Sequence, residues 1–543
     1  MADRTTGVLM RRQRPFRHAP LRALLALAAG LALVLPLGGA SPQAAAAPPR
    51  AAGSASAEEP PGAEPYRPQF HFSPARNWMN DPNGLVHYDG EYHLFFQYNP
   101  EGNTWGNMSW GHAVSRDLVH WEELPLALPH DEQEMVFSGS VVVDRENTSG
   151  FGSPENPAMV AVYTSHAKDG SRQAQSLAYS TDRGRTWTKY AGNPVLDIGA
   201  KDFRDPKVQW HEPSRSWLMT VALPLEHKVR FYRSPDLKQW TELSDFGPAG
   251  AVDGVWECPD LFPMQVDGDP ERTKWVLVVN LNPGGIAGGS GAQYFVGDFD
   301  GTRFTADPDQ GTRWLDHGKD YYAAISWDGD PEGRRHMIGW MNNWQYGEKI
   351  PTDPWRSAMS VPRTMGLSTV DGRPTLTQQP VAALDSLRLP DPVTVREVDV
   401  PEGSQPLAEG RGDGRTLDIE ARFSPGEAER FGLELRAGDG QKTVVGYDAA
   451  AGEVYVDRTH SGDTGFSPDF PGTQRAPLAV RDGEVRLRIL LDASSVEVFG
   501  GAGESVLTDQ IFPGAPEGVR LFAEGGTARL KSLDLHRLGT YRP

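Results

Sequence analysis

Three acidic residues stand in short segments suited to carboxylate chemistry. They are Asp81 in Trp78-Met79-Asn80-Asp81-Pro82-Asn83-Gly84, Asp205 in Phe203-Arg204-Asp205-Pro206 and Glu257 in Trp256-Glu257-Cys258-Pro259-Asp260. Asp-Pro-Asn-Gly has the composition of a turn, and a stiff turn holds a reactive oxygen still. Arg204 is placed to keep a neighbouring carboxylate ionised. Breaking a glycosidic bond takes two carboxyl groups: one attacks or activates water, and the other protonates the departing oxygen. The tryptophans fit the same chemistry. All 15 fall between Trp78 and Trp355, and indole stacks on the apolar face of a sugar ring as readily as it fills a β core. Singly, each acidic residue reads as a turn or strand-edge residue. Set in one repeating frame, the three argue for a sugar-processing site.

The frame is a weak internal repeat. Val114-Ser115-Arg116-Asp117-Leu118-Val119-His120-Trp121 resembles the stretch from Tyr179 to Trp187 and again Arg233-Ser234-Pro235-Asp236-Leu237-Lys238-Gln239-Trp240, with Gly297 to Phe304 as a degenerate fourth copy. Short runs such as Glu91 to Gln97, Trp275 to Asn280 and His336 to Trp340 are bounded by Gly, Pro, Asp and Asn, and hardly any stretch holds a helical period. Repetition at this interval with β content predicts a propeller, and residues 67–390 have room for about five blades. Asp81, Asp205 and Glu257 would then lie where innermost strands begin, facing one axial funnel. Trp110, Trp121, Trp187 and Trp240 occupy repeat positions and read as blade packing. After about Asp391 tryptophan vanishes and alternation becomes cleaner, as in Val485 to Asp492, which predicts a β-sandwich over residues 395–543. Without an indole platform, that part reads as a structural partner of the propeller.

The beginning of the chain bears on the compartment. Five arginines from Arg11 to Arg22 precede an apolar stretch from Ala23 to about Gly39 and a run of small residues. This predicts a signal peptide over residues 1–47, with Pro48 disfavouring a cut directly ahead of it. Left uncleaved, the same stretch is long enough to anchor in a membrane. The Pro/Ala/Glu-rich residues 48–66 read as a disordered leader. The formal net charge is −19, which argues against nucleic acid and anionic lipid as partners and leaves a neutral polysaccharide unopposed. The lone Cys258 permits no internal disulfide, so stability outside the cell must come from a large core. The expected state is a monomer, free of the membrane once the signal is removed.

The chain resembles glycoside hydrolase family 32, the group of invertases, inulinases and levanases. The resemblance rests on WMNDPNG (78–84), FFQYNP (95–100), WGNMSWGHAVSRDLVHW (105–121), FSGS (137–140), FRDP (203–206), WECPD (256–260), DYYAA (320–324), GWMNNW (339–344), PTDPWRSAMSVPR (351–363) and LDASSVEVFGGAGESVLTDQIFP (491–513). It implies a five-bladed propeller followed by a β-sandwich. Carried over residue by residue, it makes Asp81 the nucleophile, Glu257 the general acid/base and Asp205 a carboxylate that holds fructosyl hydroxyls. Asn80, Gln97, Trp105, Phe137, Ser138, Arg204, Tyr322 and Trp344 would line the fructosyl pocket. The implied mechanism is retaining and needs no metal and no redox cofactor. The implied substrate is a fructan or sucrose, with exo-release of fructose from levan or inulin expected first. A levanbiose-releasing enzyme and a fructosyltransferase would use the same carboxylates. A silent fructan-binding protein would be expected to lack Asp81 or Glu257, and both are present.

Overall fold

The computed structural model describes residues 64–407, 412–514 and 518–542, so the expected signal peptide and nearly all of the leader lie outside the described residues. Among the described residues, five sheets follow one another along the chain, antiparallel except where Trp355–Arg356 pairs in parallel with Asn77 and Trp78 at the edge of the first. Blade I comprises Asn77–Tyr88, Glu91–Tyr98, Ser109–Ser115 and Trp121–Leu128; blade II comprises Glu134–Asp144, Ala158–Ala167, Gln173–Ser180 and Thr188–Lys189. Blade III comprises Arg204–His211, Ser216–Leu223, Lys228–Ser234 and Thr241–Phe246, and blade IV comprises Val255–Gln265, Thr273–Asn282, Gly291–Phe299 and Phe304–Ala306. Blade V comprises Tyr322–Ser326, Arg335–Met341, Arg363–Val370 and Arg373–Pro380. The first strand of each blade packs beside its neighbours around a common axis. The ring closes between blades V and I, where Val86 pairs in parallel with Asp328 and the His87 amide donates to the Asp328 carbonyl at 2.8 Å.

The internal repeat is the hairpin that joins the third and fourth strands of a blade. Asp117 Oδ1 accepts from the amides of Val119 and His120 at 3.0 and 2.9 Å, and Asp236 Oδ1 from Lys238 and Gln239 at 2.9 and 2.8 Å. Asp300 does the same for Thr302 and Arg303, both at 2.7 Å. The residue after each of Asp117, Asp182, Asp236 and Asp300 takes a positive φ, at Leu118, Arg183, Leu237 and Gly301. An aspartate that satisfies turn amides lets the backbone turn tightly. Blade V closes instead through Asp371-Gly372, both at positive φ between paired Val370 and Arg373, the two-residue hairpin such residues favour. Four copies therefore mark five blades.

Two six-stranded antiparallel sheets form the C-terminal sandwich. One runs in the order Val393–Val400, Ala528–Arg537, Leu417–Ser424, Val485–Asp492, Ser495–Gly500, Ser505–Gln510. The other runs Gly403–Pro406, Gly518–Glu524, Arg430–Gly438, Gln441–Asp448, Glu453–His460, Thr473–Pro477. Alternate residues such as Leu417, Ile419, Ala421 and Phe423 point into the shared core.

The sandwich meets the propeller through buried charge. Arg363 of blade V donates to Asp316 at 3.0 Å and to Glu497 and Thr508 of the sandwich at 2.6 and 2.5 Å. Glu497 also meets His71 at 2.8 Å, and the other ring nitrogen of His71 meets Asp492 at 2.8 Å. Removing one member of such a set leaves the others charged and unpaired away from water. Arg363→Ala is therefore expected to cost about 3–5 kcal/mol. Denaturant unfolding measures this, and a loss below about 1 kcal/mol would show that the network contributes little to holding the two parts together.

Candidate active site

Asp81, Ser138, Arg204, Asp205, Glu257, Cys258 and Tyr322 converge at the end of the propeller axis where the innermost strands begin. Regular strands would not present them together, because alternate side chains leave for opposite faces. Each first strand is irregular at this end. Register shifts fall between Met79 and Pro82, Val136 and Gly139, Glu257 and Asp260, and Tyr322 and Ile325, with the blade III shift opposite Arg204, between Thr220 and Ala222. A bulge re-aims the side chain beside it. Asp205, Cys258 and Ala323 also take positive φ of 66°, 45° and 52°, unusual for residues with a Cβ. The Asp-Pro-Asn-Gly segment expected as a turn is instead part of a strand with a second shift between Asn83 and Val86. Gly84 sits there at φ 57°, where an added Cβ would lie 2.6 Å from Phe95 and 2.8 Å from Val141. Pairing with Glu91–Tyr98 keeps the segment extended, and the bulges supply the bend that its composition suggested.

Hydrogen bonds fix each carboxyl group. Ser138 Oγ donates to Asp81 Oδ2 at 2.7 Å and Asn80 Nδ2 to Asp81 Oδ1 at 3.0 Å. The Cys258 amide donates to Asp205 Oδ2 at 3.0 Å, and Cys258 Sγ lies 3.6 Å from both Asp81 Oδ2 and Asp205 Oδ2. The Asp205 amide donates to Thr164 Oγ1 at 3.0 Å. Arg204 Nε donates to Glu257 Oε1 at 3.0 Å, and the Tyr322 hydroxyl donates to Glu257 Oε2.

The electrostatics follow from burial of three carboxyls near one another. Burial first, then the charge of Glu257, holds Asp81 above the ordinary aspartate range. The same causes in the same order push Asp205 up to about 7, against the opposing pull of Arg204. Burial opposes the guanidinium charge of Arg204, but Glu257 and Asp205 outweigh it and raise its pKa. Burial and Glu257 push the Tyr322 phenol well up, so it stays a donor. Asp81 and Asp205, both pulled toward protonation, retain a proton more readily than isolated aspartates would.

Aromatic residues support and rim the site. Half-buried Trp344 packs on Trp340 and Trp78, with ring centres 4.9 and 5.7 Å apart. The Trp78 indole donates to Asn80 Oδ1 at 2.8 Å, which links this cluster to Asp81. Gln97 is buried in the wall, donating to the Val136 carbonyl at 3.1 Å, two residues before Ser138. Phe137 stacks on His166 at 4.3 Å, and Trp105, 40% exposed, meets Phe137 edge-on at 6.1 Å. The described contacts of Trp105 are with Phe137 and with Glu348, whose carboxylate accepts from its amide at 3.0 Å, and not with the carboxyl cluster.

Comparison with known proteins places the sequence and the fold in one family. Residues 71–380 match the Glycosyl hydrolases family 32 N-terminal domain and residues 384–537 the Glycosyl hydrolases family 32 C terminal. The chain belongs to glycoside hydrolase family 32. It is 49% identical to a levanase of Bacillus subtilis over 88% of this chain and 71% of that protein. The crystal structure of exo-inulinase from Aspergillus awamori superposes with a TM-score of 0.84 at 45% identity, covering 88% of this chain and 99% of that one. The β-fructofuranosidase from Schwanniomyces occidentalis, complexed with fructosyl-erythritol, gives 0.80 at 33% identity, covering 88% and 98%.

Several residues that support the carboxyl cluster have no signature in the sequence. Gln173 and Asp202 accept from Arg204 Nη1 at 3.3 and 3.0 Å. Thr164, His166 and Gln173 lie on the second and third strands of blade II, where the pairing of His166 with Gln173 and of Thr164 with Gln175 sets them side by side. Asp202 alone was within reach, standing two residues before Arg204. The expected wall residues Asn80, Ser138, Arg204 and Tyr322 all contact a carboxyl of the cluster.

The raised Asp205 predicts a cost to stability. Folded Asp205 holds a proton that the unfolded chain releases, so its contribution is fully present below the ordinary aspartate value and is lost as pH rises toward about 7. Asp205→Asn is expected to stabilise the fold by about 1–3 kcal/mol at pH 8, with a far smaller effect at pH 4. Thermal unfolding of both proteins at the two pH values checks the sign. A gain at pH 4 as large as that at pH 8 would contradict it.

Proposed function

We propose that this protein is a secreted retaining β-fructofuranosidase that releases fructose from the non-reducing ends of levan or inulin, with sucrose as a secondary substrate. The observation that carries the reading is the convergence of Asp81, Asp205 and Glu257 on one axis, within 3.6 Å contacts through Cys258 and with Arg204 and Tyr322 fixed on Glu257. In this reading Asp81 attacks the anomeric carbon while Glu257 protonates the departing oxygen. Glu257 then takes a proton from the water that resolves the fructosyl-enzyme. Asp205 and Arg204 hold fructosyl hydroxyls, and bonds that tighten as positive charge builds on the ring lower the barrier. Secretion is supported by the basic-then-apolar beginning of the chain and by the Aspergillus awamori relative's description as extracellular. The protein acts as a monomer, without nucleic acid or membrane as partner.

A time-resolved chromatographic product profile on levan, inulin and sucrose tests the substrate reading. Fructose from the outset, without longer oligomers, is expected. Levanbiose alone or mixed oligomers would overturn exo-release of fructose, and no product from any of the three would overturn the substrate class. The aromatic support of Asp81 makes a second prediction. Trp344→Ala should lower kcat/KM on sucrose by about tenfold to a hundredfold, because it loosens Trp78 and through it Asn80. Trp187→Ala, which removes a blade hairpin bond to Gly184, should leave kcat/KM within about twofold. Equal effects would remove Trp344 from the pocket.

A further inference from the structure

The propeller axis has a second mouth. The innermost strands leave the carboxyl cluster and run to the opposite face, where blades I, II, III and V end around a cavity of about 310 Å³. His87 lies six residues beyond Asp81 on one strand, roughly 20 Å at the rise of an extended chain. Between the mouths the axis is closed, narrowing to a space of about 10 Å³ beside Asn83, Asp205, Lys207 and Cys258. One sugar unit cannot occupy both ends.

This mouth has the makings of a sugar site. Trp210 and Trp217 meet edge-on at 5.1 Å in its wall, and Trp210 is partly exposed. The Trp210 indole N–H is fixed by Glu212 at 2.6 Å and that of Trp217 by Thr148 at 2.8 Å. Locking the N–H groups holds the indoles in place, as a stacking platform requires. Arg145, Glu146 and Asp328 also line the cavity, and among the described residues their side chains make no hydrogen bond, though Arg145 lies over the Tyr88 ring at 5.9 Å. Donors and acceptors of both signs beside an indole suit a neutral, hydroxyl-rich ligand better than an anion or an apolar one. The volume lies at the lower end of the range for small-molecule sites.

We propose that this second mouth binds an internal stretch of a β-linked fructan chain, holding the polymer while its free end reaches the carboxyl funnel of this or another copy. The proposal rests on the fructan reading above and extends it to a site that takes no part in bond cleavage. A linked second site raises the effective concentration of chain ends for polymers and does nothing for a disaccharide.

Native electrophoresis of the full chain through gels containing levan, and separately inulin, tests this in an Asp81→Ala background with free fructose added to fill the catalytic pocket. Retardation by at least one fructan is expected to persist under fructose. Trp210→Ala should weaken it about three- to tenfold, and Arg145→Ala, at an exposed side chain that leaves the fold intact, about twofold. With Asp81 restored, both variants should raise KM on the polymer while kcat/KM on sucrose stays within about twofold of the parent. Absence of retardation in the parent would overturn the proposal, as would retardation unchanged in Arg145→Ala together with any folded Trp210→Ala. Retardation of the Asp81→Ala protein, with the unsubstituted protein cleaving neither levan nor sucrose, would count against the catalytic reading and leave the second site standing.

Discussion

Asp81→Ala is expected to lower kcat on sucrose by about ten-thousandfold to a millionfold while the protein keeps its fold. The carboxylate does two things that no neighbour can take over. It supplies the electron pair that forms the fructosyl-enzyme, and it does so from a position fixed by Ser138 at 2.7 Å and Asn80 at 3.0 Å. Asp205 cannot substitute, because its carboxyl is turned to the Cys258 amide. The fold should tolerate the change, since Asp81 is held above its ordinary pKa by burial and by Glu257 and is therefore a cost to the folded state at neutral pH. Turnover within a hundredfold of the parent would remove Asp81 as nucleophile. Loss of turnover together with a fall in Tm would instead mark a structural defect, so both are measured on the same preparation.

Glu257→Ala is expected to be nearly as damaging, with a different signature. The parent side chain is held by Arg204 and Tyr322, so its loss removes the proton donor without displacing Asp81. Both steps of a retaining reaction suffer, because the same group acts first as acid and then as base. A substrate with a good leaving group needs no protonation, and azide needs no base. Azide should therefore restore activity on an activated fructoside with retained configuration, giving β-fructosyl azide, whereas in Asp81→Ala azide enters from the vacated nucleophile face and any product is the inverted α-fructosyl azide. The pH profile should move as well. Glu257 is the second cause, after burial, of the raised Asp81 value. Without its charge Asp81 ionises at lower pH, and the acid limb of the rescued activity should shift to lower pH. β-Fructosyl azide from Asp81→Ala with α-fructosyl azide from Glu257→Ala, or an acid limb that moves upward, would reverse the assignment of the two roles.

The sequence was most legible where chemistry and topology coincide. The aspartate of each hairpin copy is required by local turn amides, so the repeat could be read from one short window and then counted. Blade V escaped because its Asp371-Gly372 turn solves the same problem without that motif. The carboxyl segments were legible because Pro, Asn and Arg beside an acid are uncommon in strands. Their conformation was misread at Asp81, where a turn composition is overridden by pairing with the neighbouring strand and survives only as two bulges. Thr164, Gln173 and His166 left no local trace, since they reach the site through the register of blade II. Nothing in the composition around Arg363 or His71 foretold that the propeller and sandwich are joined by a buried ion network. Partners so far apart along the chain meet only in the folded state.

The measurement that tests the central claim most directly is the stereochemistry of fructosyl transfer to methanol during sucrose cleavage, read by NMR of the methyl fructoside, whose anomeric centre does not equilibrate. If Asp81 forms a covalent intermediate that Glu257 helps to resolve, two inversions occur and only methyl β-D-fructofuranoside should appear. Methyl α-D-fructofuranoside as the first product would mean a single displacement by an activated acceptor, and would contradict Asp81 as the nucleophile.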